Sequence, residues 1–416
     1  MTPAPPPDRA GRNELAELAL LFFCHAAAIG AWFVPMSGIL DHAGLGSIKP
    51  LAFASSGLAC FVSPLLFGAL ADRRFAPVLV LRWLAAATAC AVWGAAWTID
   101  RGAPPWLVLA AIQIQTLFSS PTWGLTSSIV FSRLADSKTQ FGPLRSLGSL
   151  GWMAGCWLAS ALGADTSTRS WHLSILLWAG VFVLTFWMPK IAPPADAAPL
   201  RLSQRLGWDA LGLLRNPSHR VVFLTTALLN IPLAAFYPYT PTHLRSLGLE
   251  HSAAWMTLAQ TTEVASMLLL ARLSGWMSFR KMLAAGIAVS MVRFALCASD
   301  TTPWVLLGLS LHGLSFTLVF ITAQIYLEHE IEPAWRVRAQ SLLSFLMGGP
   351  ANLLGYLATG AWFSFTALPK SSSLQPALEH NWPLFWTGIA GTVALILAGF
   401  LISSRKTHPQ TRDGAP

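Results

Sequence analysis

Twelve stretches of this chain are too apolar and too long for a fold that meets water. They run over roughly residues 17–40, 49–71, 78–98, 105–132, 142–163, 170–189, 220–243, 252–272, 280–298, 303–327, 339–362 and 382–403. Each is close to the 20 or so residues a helix needs to cross the hydrocarbon core of a bilayer. All are apolar on every side, whereas a membrane barrel alternates over segments of about 10 residues. The expected fold class is an all-α membrane protein with twelve transmembrane helices. The fourth and tenth stretches are the longest and are expected to tilt or to extend past the bilayer. Composition agrees: 54% of the 416 residues are hydrophobic and only 11% are charged, with mean hydropathy +0.55. A soluble domain carries about 25% charged residues.

The distribution of lysine and arginine predicts the orientation. With the N-terminus inside, 21 of the 27 lie on the inner side, 5 lie outside, and Arg293 lies within a span. Basic inner loops place both termini in the cytoplasm. The net charge of +9 is then a basic face beside anionic lipid and calls for no nucleic acid. "MTPAPPPDRAGRNE" is expected to be a polar tail and not a cleavable leader, because the apolar run after it is long enough to span. Cys24, Cys60, Cys90, Cys156 and Cys297 all fall in apolar spans with no Cys-x-x-Cys pair, so they are expected to pack, without disulfides, metal or cofactor.

The longest polar interval is 190–219, with six spans on each side. The expected organisation is a cytoplasmic tail (1–13), an N-terminal six-helix bundle (14–189), a cytoplasmic linker (190–219), a C-terminal six-helix bundle (220–403) and a second tail (404–416). Between the second and third spans stands "GALADRR", 68–74. Asp72 can cap or pair at a helix end while Arg73 and Arg74 stay inside. This Gly-x-x-x-Asp-Arg loop and the paired bundles resemble the major facilitator superfamily of transporters, which implies alternating access around a site near the bilayer midplane.

Few ionisable groups lie deep in the spans. Of 18 acids, Glu263 alone falls well inside one. A charge at helix centre costs at least ~3 kcal/mol on insertion scales, so such groups usually face a bundle interior or an aqueous cavity. Two compatible readings stand: a buried ion pair with Arg293 that locks neighbouring helices, or a site group that carries a proton or accepts a substrate hydrogen bond. Arg145 lies near the start of the fifth span in "FGPLRSLGSLGW", where Pro143 suits a helix start, Ser149 shares the Arg145 face, and Gly148 and Gly151 permit close helix contact. Alternatively, Arg145 snorkels to the cytoplasm. His25 and His312 stand alone on the first and tenth spans.

"SSPTWGLTSSIVFSRL" (119–134), "GPLRSLGSLGW" (142–152), "LAQTTEVASM" (258–267), "MVRFAL" (291–296) and "RVRAQSLLSF" (336–345), with "IGAWFVP" (29–35), are similar to segments of the bacterial nucleoside–proton symporter family, in that family's order. The resemblance implies proton-coupled nucleoside uptake across a bacterial inner membrane by a monomeric carrier. Carried over by motif, Arg145 and Ser149 match the fifth span, Asn230 the seventh, and Gln260, Thr261 and Glu263 the eighth. The tenth span departs. The family's Tyr-Gly-x-x-Phe-Asp reads "HGLSFT" here, so Gly313 and Phe316 remain, His312 replaces the Tyr and Thr317 the Asp. The implied substrate-binding set is Arg145, Ser149, Asn230, Gln260, Glu263, His312, Phe316 and Thr317, with Glu263 and Arg293 linked to the proton. Plainer roles exist for single members. Phe316 can be packing, His312 a helix contact, and Asn230 a partner for backbone freed by Pro232.

Other functions are a facilitator-type carrier for sugars or another small polar solute, and a transporter-like receptor. An intramembrane enzyme would need a nucleophile–base pair or metal ligands, and no His-Glu-x-x-His, Gly-x-Ser-x-Gly or Cys/His cluster occurs.

Overall fold

A computed structural model describes residues 12–73, 75–134, 137–188, 208–273, 277–368 and 380–406. The described residues form twelve helical rods, one for each apolar stretch. In the N-terminal half they are α1 (Arg12–Phe33, continued by Met36–His42), α2 (Lys49–Arg73), α3 (Pro77–Asp100), α4 (Pro105–Ser119 and Thr122–Phe131), α5 (Ser137–Ala161) and α6 (Arg169–Leu184). In the C-terminal half they are α7 (Pro217–Leu233 and Phe236–Ser246), α8 (Ser252–Met256 and Leu258–Leu273), α9 (Phe279–Cys297), α10 (Thr302–Phe316, Thr317–Ile321 and Thr322–Glu330), α11 (Pro333–Leu346, Met347–Ala351 and Asn352–Phe365) and α12 (Trp382–Lys406). Six rods carry continuous stretches long and apolar enough to cross a membrane. Large apolar side chains cover the outside: Trp83, Trp106, Leu176 and Leu395 are each at least 66% exposed. In water that surface would be costly; against lipid tails it costs nothing.

Proline shapes several rods. It opens α3, α7, α10 and α11 within the first turn, where its missing N–H is already surplus. It also interrupts them. α4 breaks at Ser120–Pro121, and α7 breaks just after Pro232. The tenth rod is 29 residues long, about 43 Å at 1.5 Å per residue, longer than a bilayer core is thick, as a helix that tilts or extends past it must be. One local expectation fails. α5 begins at Ser137, so Pro143 is its seventh residue and not its start. The expectations for "GALADRR" and the linker fall largely outside the description: the side chains of 68–73, and residues 74 and 189–207, are not described. Linker residues Trp208–Arg215 form a 3-10 helix.

The chain separates into two compact units, Met1–Leu200 with His251–Ala254, and Arg201–Glu250 with Trp255–Pro416. In the first, α1 and α5 touch backbone to backbone. A Cβ on Gly151 would lie 2.2 Å from the Phe23 carbonyl oxygen, and one on Gly155 2.2 Å from that of Ala27. Small residues thus permit the close approach expected of Gly151. Residues 251–254 group with this unit because Asp165 Oδ1 accepts from the Ala253 amide at 2.6 Å and Ser160 Oγ from the Ala254 amide at 3.0 Å. In the second unit, α10 packs against α8 and α9, α9 against α12, and α7 against α11 and α12.

Candidate functional site

The implied substrate-binding residues of the first unit lie on α5. Arg145 lies within its helical backbone, but its side chain is outside the described residues; Ser149, one turn on, is half-buried. His25 is fully enclosed. Its Nε2 and Thr122 Oγ1 are 2.8 Å apart, and the ring lies 5.4 Å from Trp123 and 5.2 Å from Trp178, ring centre to ring centre. It therefore joins α1, α4 and α6 as a helix contact.

The second unit gathers most of the sequence-derived residues around α10. Two glycines seat this helix. A Cβ on Gly308 would fall 2.5 Å from the Arg293 carbonyl oxygen of α9, and one on Gly313 2.0 Å from the Glu263 nitrogen of α8. Thr262 Oγ1 donates to the Ser310 carbonyl at 2.5 Å, and Ser290 pairs with Ser315, fastening α10 on both sides. Glu263 is half-buried at this crossing. Gln260, 8% exposed one turn earlier, directs its amide at the Tyr237 hydroxyl across 3.4 Å.

Arg293 is 1% exposed. Its guanidinium lies over two rings, 4.2 Å from the centre of Phe294 and 5.0 Å from that of Phe236, which is favourable for a desolvated cation. Among the described residues its one hydrogen bond goes from a terminal nitrogen to His312 Nδ1, while Nε and the other terminal nitrogen have no partner. The bond considered between Arg293 and Glu263 is thus replaced by one to His312. The His312 ring stacks on Phe236 at 4.1 Å and 5°, and faces Phe316 at 6.2 Å. Phe316 also meets Phe320 at 4.9 Å and packs on the core of the unit.

Thr317 is fully buried and its hydroxyl has no hydrogen-bond partner among the described residues. It opens a π-helical turn, Thr317–Ile321, the kind of local widening often found at functional sites. A second π turn, Met347–Ala351, surrounds Pro350 in α11. Asn230 binds there: its amide nitrogen donates to the Met347 carbonyl at 2.9 Å and to Asn352 Oδ1 at 2.7 Å. Asn230 therefore ties α7 to α11 instead of repairing its own helix at Pro232.

Sequence reasoning missed Phe236, Tyr237 and Asn352. Tyr237 is one of only four tyrosines, and Asn352 follows a Gly-Gly-Pro-Ala break in an apolar span; both were available signals. Phe236 had none. Among the described residues no group of three or more His, Cys, Asp or Glu could hold a metal ion. The cluster offers hydrogen-bond donors, stacked rings and one carboxylate, suited to holding a flat polar solute and a proton.

Residues 13–409 match the family profile described as Nucleoside H+ symporter. YegT of Escherichia coli (strain K12), a protein named for nucleoside transport, is 31% identical over 412 residues, with 94% of each chain covered. The nucleoside permease NupG of the same organism is 24% identical over 430 residues, covering 97% of this chain and 98% of the relative. The crystal structure of the nucleoside transporter NupG superposes with a TM-score of 0.83 at 22% identity, over 94% of this chain and 99% of that one. A bacterial homologue of the human lysosomal transporter Spinster superposes with a TM-score of 0.71 at 12% identity, over 96% of this chain and 98% of that one.

Proposed function

The chain belongs to the nucleoside–proton symporter family, and from that premise we propose that it takes up nucleosides with protons across a bacterial inner membrane. It is a multi-pass carrier and not an enzyme; its family and relatives are transporters. Both termini face the cytoplasm, as the 21-to-5 basic asymmetry supports, and the carrier works as a monomer.

One observation carries the coupling: among 18 acids, Glu263 alone stands well inside an apolar span, and it is half-buried where α8 crosses α10. Glu263 binds and releases the coupled proton. Arg145 and Ser149 of the first unit, with Asn230, Gln260, His312, Phe316 and Thr317 of the second, supply solute contacts: hydroxyl and amide partners for a ribose, and an aromatic face for a base. Arg293 supports His312 through its hydrogen bond to Nδ1.

The test is uptake of labelled nucleosides and sugars by the reconstituted carrier, with and without an inward proton gradient. Nucleoside accumulation that follows the gradient is expected. Uptake of sugars without nucleosides, or nucleoside accumulation indifferent to the gradient, overturns the proposal.

A further inference from the structure

A guanidinium is a hydrogen-bond donor at every nitrogen and an acceptor at none. Because Arg293 binds Nδ1 of His312, that nitrogen must accept, and so carries no hydrogen. A neutral imidazole has one N–H, which therefore lies on Nε2. We propose that Arg293 is a positioning residue that holds His312 in its Nε2–H form, so that the ring meets the solute as a donor and selects a base carrying an acceptor, a carbonyl oxygen or an unprotonated ring nitrogen.

The surroundings make this arrangement durable. Phe236 of α7 lies flat on the imidazole, 4.1 Å away and within 5° of parallel, which opposes a ring flip that would put Cδ2 in the place of Nδ1 and break the bond to Arg293. Phe316 limits it further from one turn along α10. Arg293 is itself fixed between Phe236 and Phe294 and by the Gly308 contact at its own backbone. Among the described residues the side-chain hydrogen bond of His312 is made at Nδ1, and the residue keeps 8% exposure where Arg293 keeps 1%. One nitrogen is spent on the protein; the other is left for a ligand.

The part concerning the solute rests on the nucleoside-carrier reading, whereas the tautomer does not, and the experiment separates them. The full-length carrier, labelled with 15N-histidine and reconstituted in lipid without solute, gives the His312 signal by difference from His312→Gln. A bare Nδ1 and a protonated Nε2 are expected. Arg293→Met is expected to yield a mixture of tautomers, and Arg293→Lys, whose ammonium also only donates, to restore the single form in case the Met variant fails to fold. An Nδ1–H or imidazolium signal in the wild type, or a tautomer unchanged in a folded Arg293→Met carrier, overturns the positioning role.

Competition by nucleoside analogues lacking one base acceptor at a time then tests the donor. One analogue should bind about tenfold more weakly than its parent, the scale of one lost hydrogen bond, and that penalty should vanish in His312→Phe. Equal discrimination by wild type and His312→Phe overturns the donor role. If no nucleoside binds at all, the functional reading fails while the tautomer is judged on its own spectrum.

Discussion

A Cβ on Gly313 would lie 2.0 Å from the backbone nitrogen of Glu263. The helix that carries His312 thus crosses the helix that carries the intramembrane acid at the acid itself. Only a residue without a side chain permits that approach, so the closeness of α10 to the backbone of Glu263 is set by a glycine.

Gly313→Ala must push α10 away from α8. Overpacking of this kind costs about 1–3 kcal/mol. A lower melting temperature in detergent and a large loss of uptake are expected. Gly391→Ala, in the same unit with nothing within 4 Å of the added carbon, should change neither. Thermal unfolding of the two variants side by side is the check.

Glu263→Gln keeps the shape of the side chain and removes its proton exchange. Accumulation against a gradient should be abolished while binding and solute exchange persist. Wild-type accumulation in this variant would reduce Glu263 to a structural group.

Asn230→Ala removes both bonds between α7 and the π turn of α11. Leaving the Met347 carbonyl and Asn352 unsatisfied in a membrane interior should cost about 1–3 kcal/mol. Asn352→Ala, which breaks only one of the two, should cost less. The double variant should fall short of the sum, because the two residues share a bond. Unfolding of all three variants gives the coupling directly.

Asp209 is exposed on the 3-10 helix Trp208–Arg215. In a background freed of the five native cysteines, Asp209→Cys should react with an impermeant thiol reagent only when the cytoplasmic face is open. Modification on intact cells would invert the topology.

The sequence determined the number of helical rods, their approximate limits, and the isolation of Glu263 among apolar neighbours. These are local properties. A backbone in lipid must satisfy its own hydrogen bonds, so apolar length alone specifies a crossing helix. The family motifs likewise placed Gln260 and Glu263 on α8, and His312 and Phe316 on α10, because their spacing survives in a continuous helix. Tertiary structure decided what those residues touch. Arg293 could reach toward Glu263 by depth along neighbouring helices, yet the hydrogen bond it makes goes to His312. That choice depends on how α10 lies across α8 and α9, which the close contacts at Gly308 and Gly313 set. Asn230 shows the same division. Pro232 two residues away pointed to repair within its own helix, but its partners arise from the π turn in α11, more than 110 residues along the chain. Depth in the membrane is counted along one helix, whereas pairing requires two helices and the angle between them, and no single stretch of sequence contains that angle.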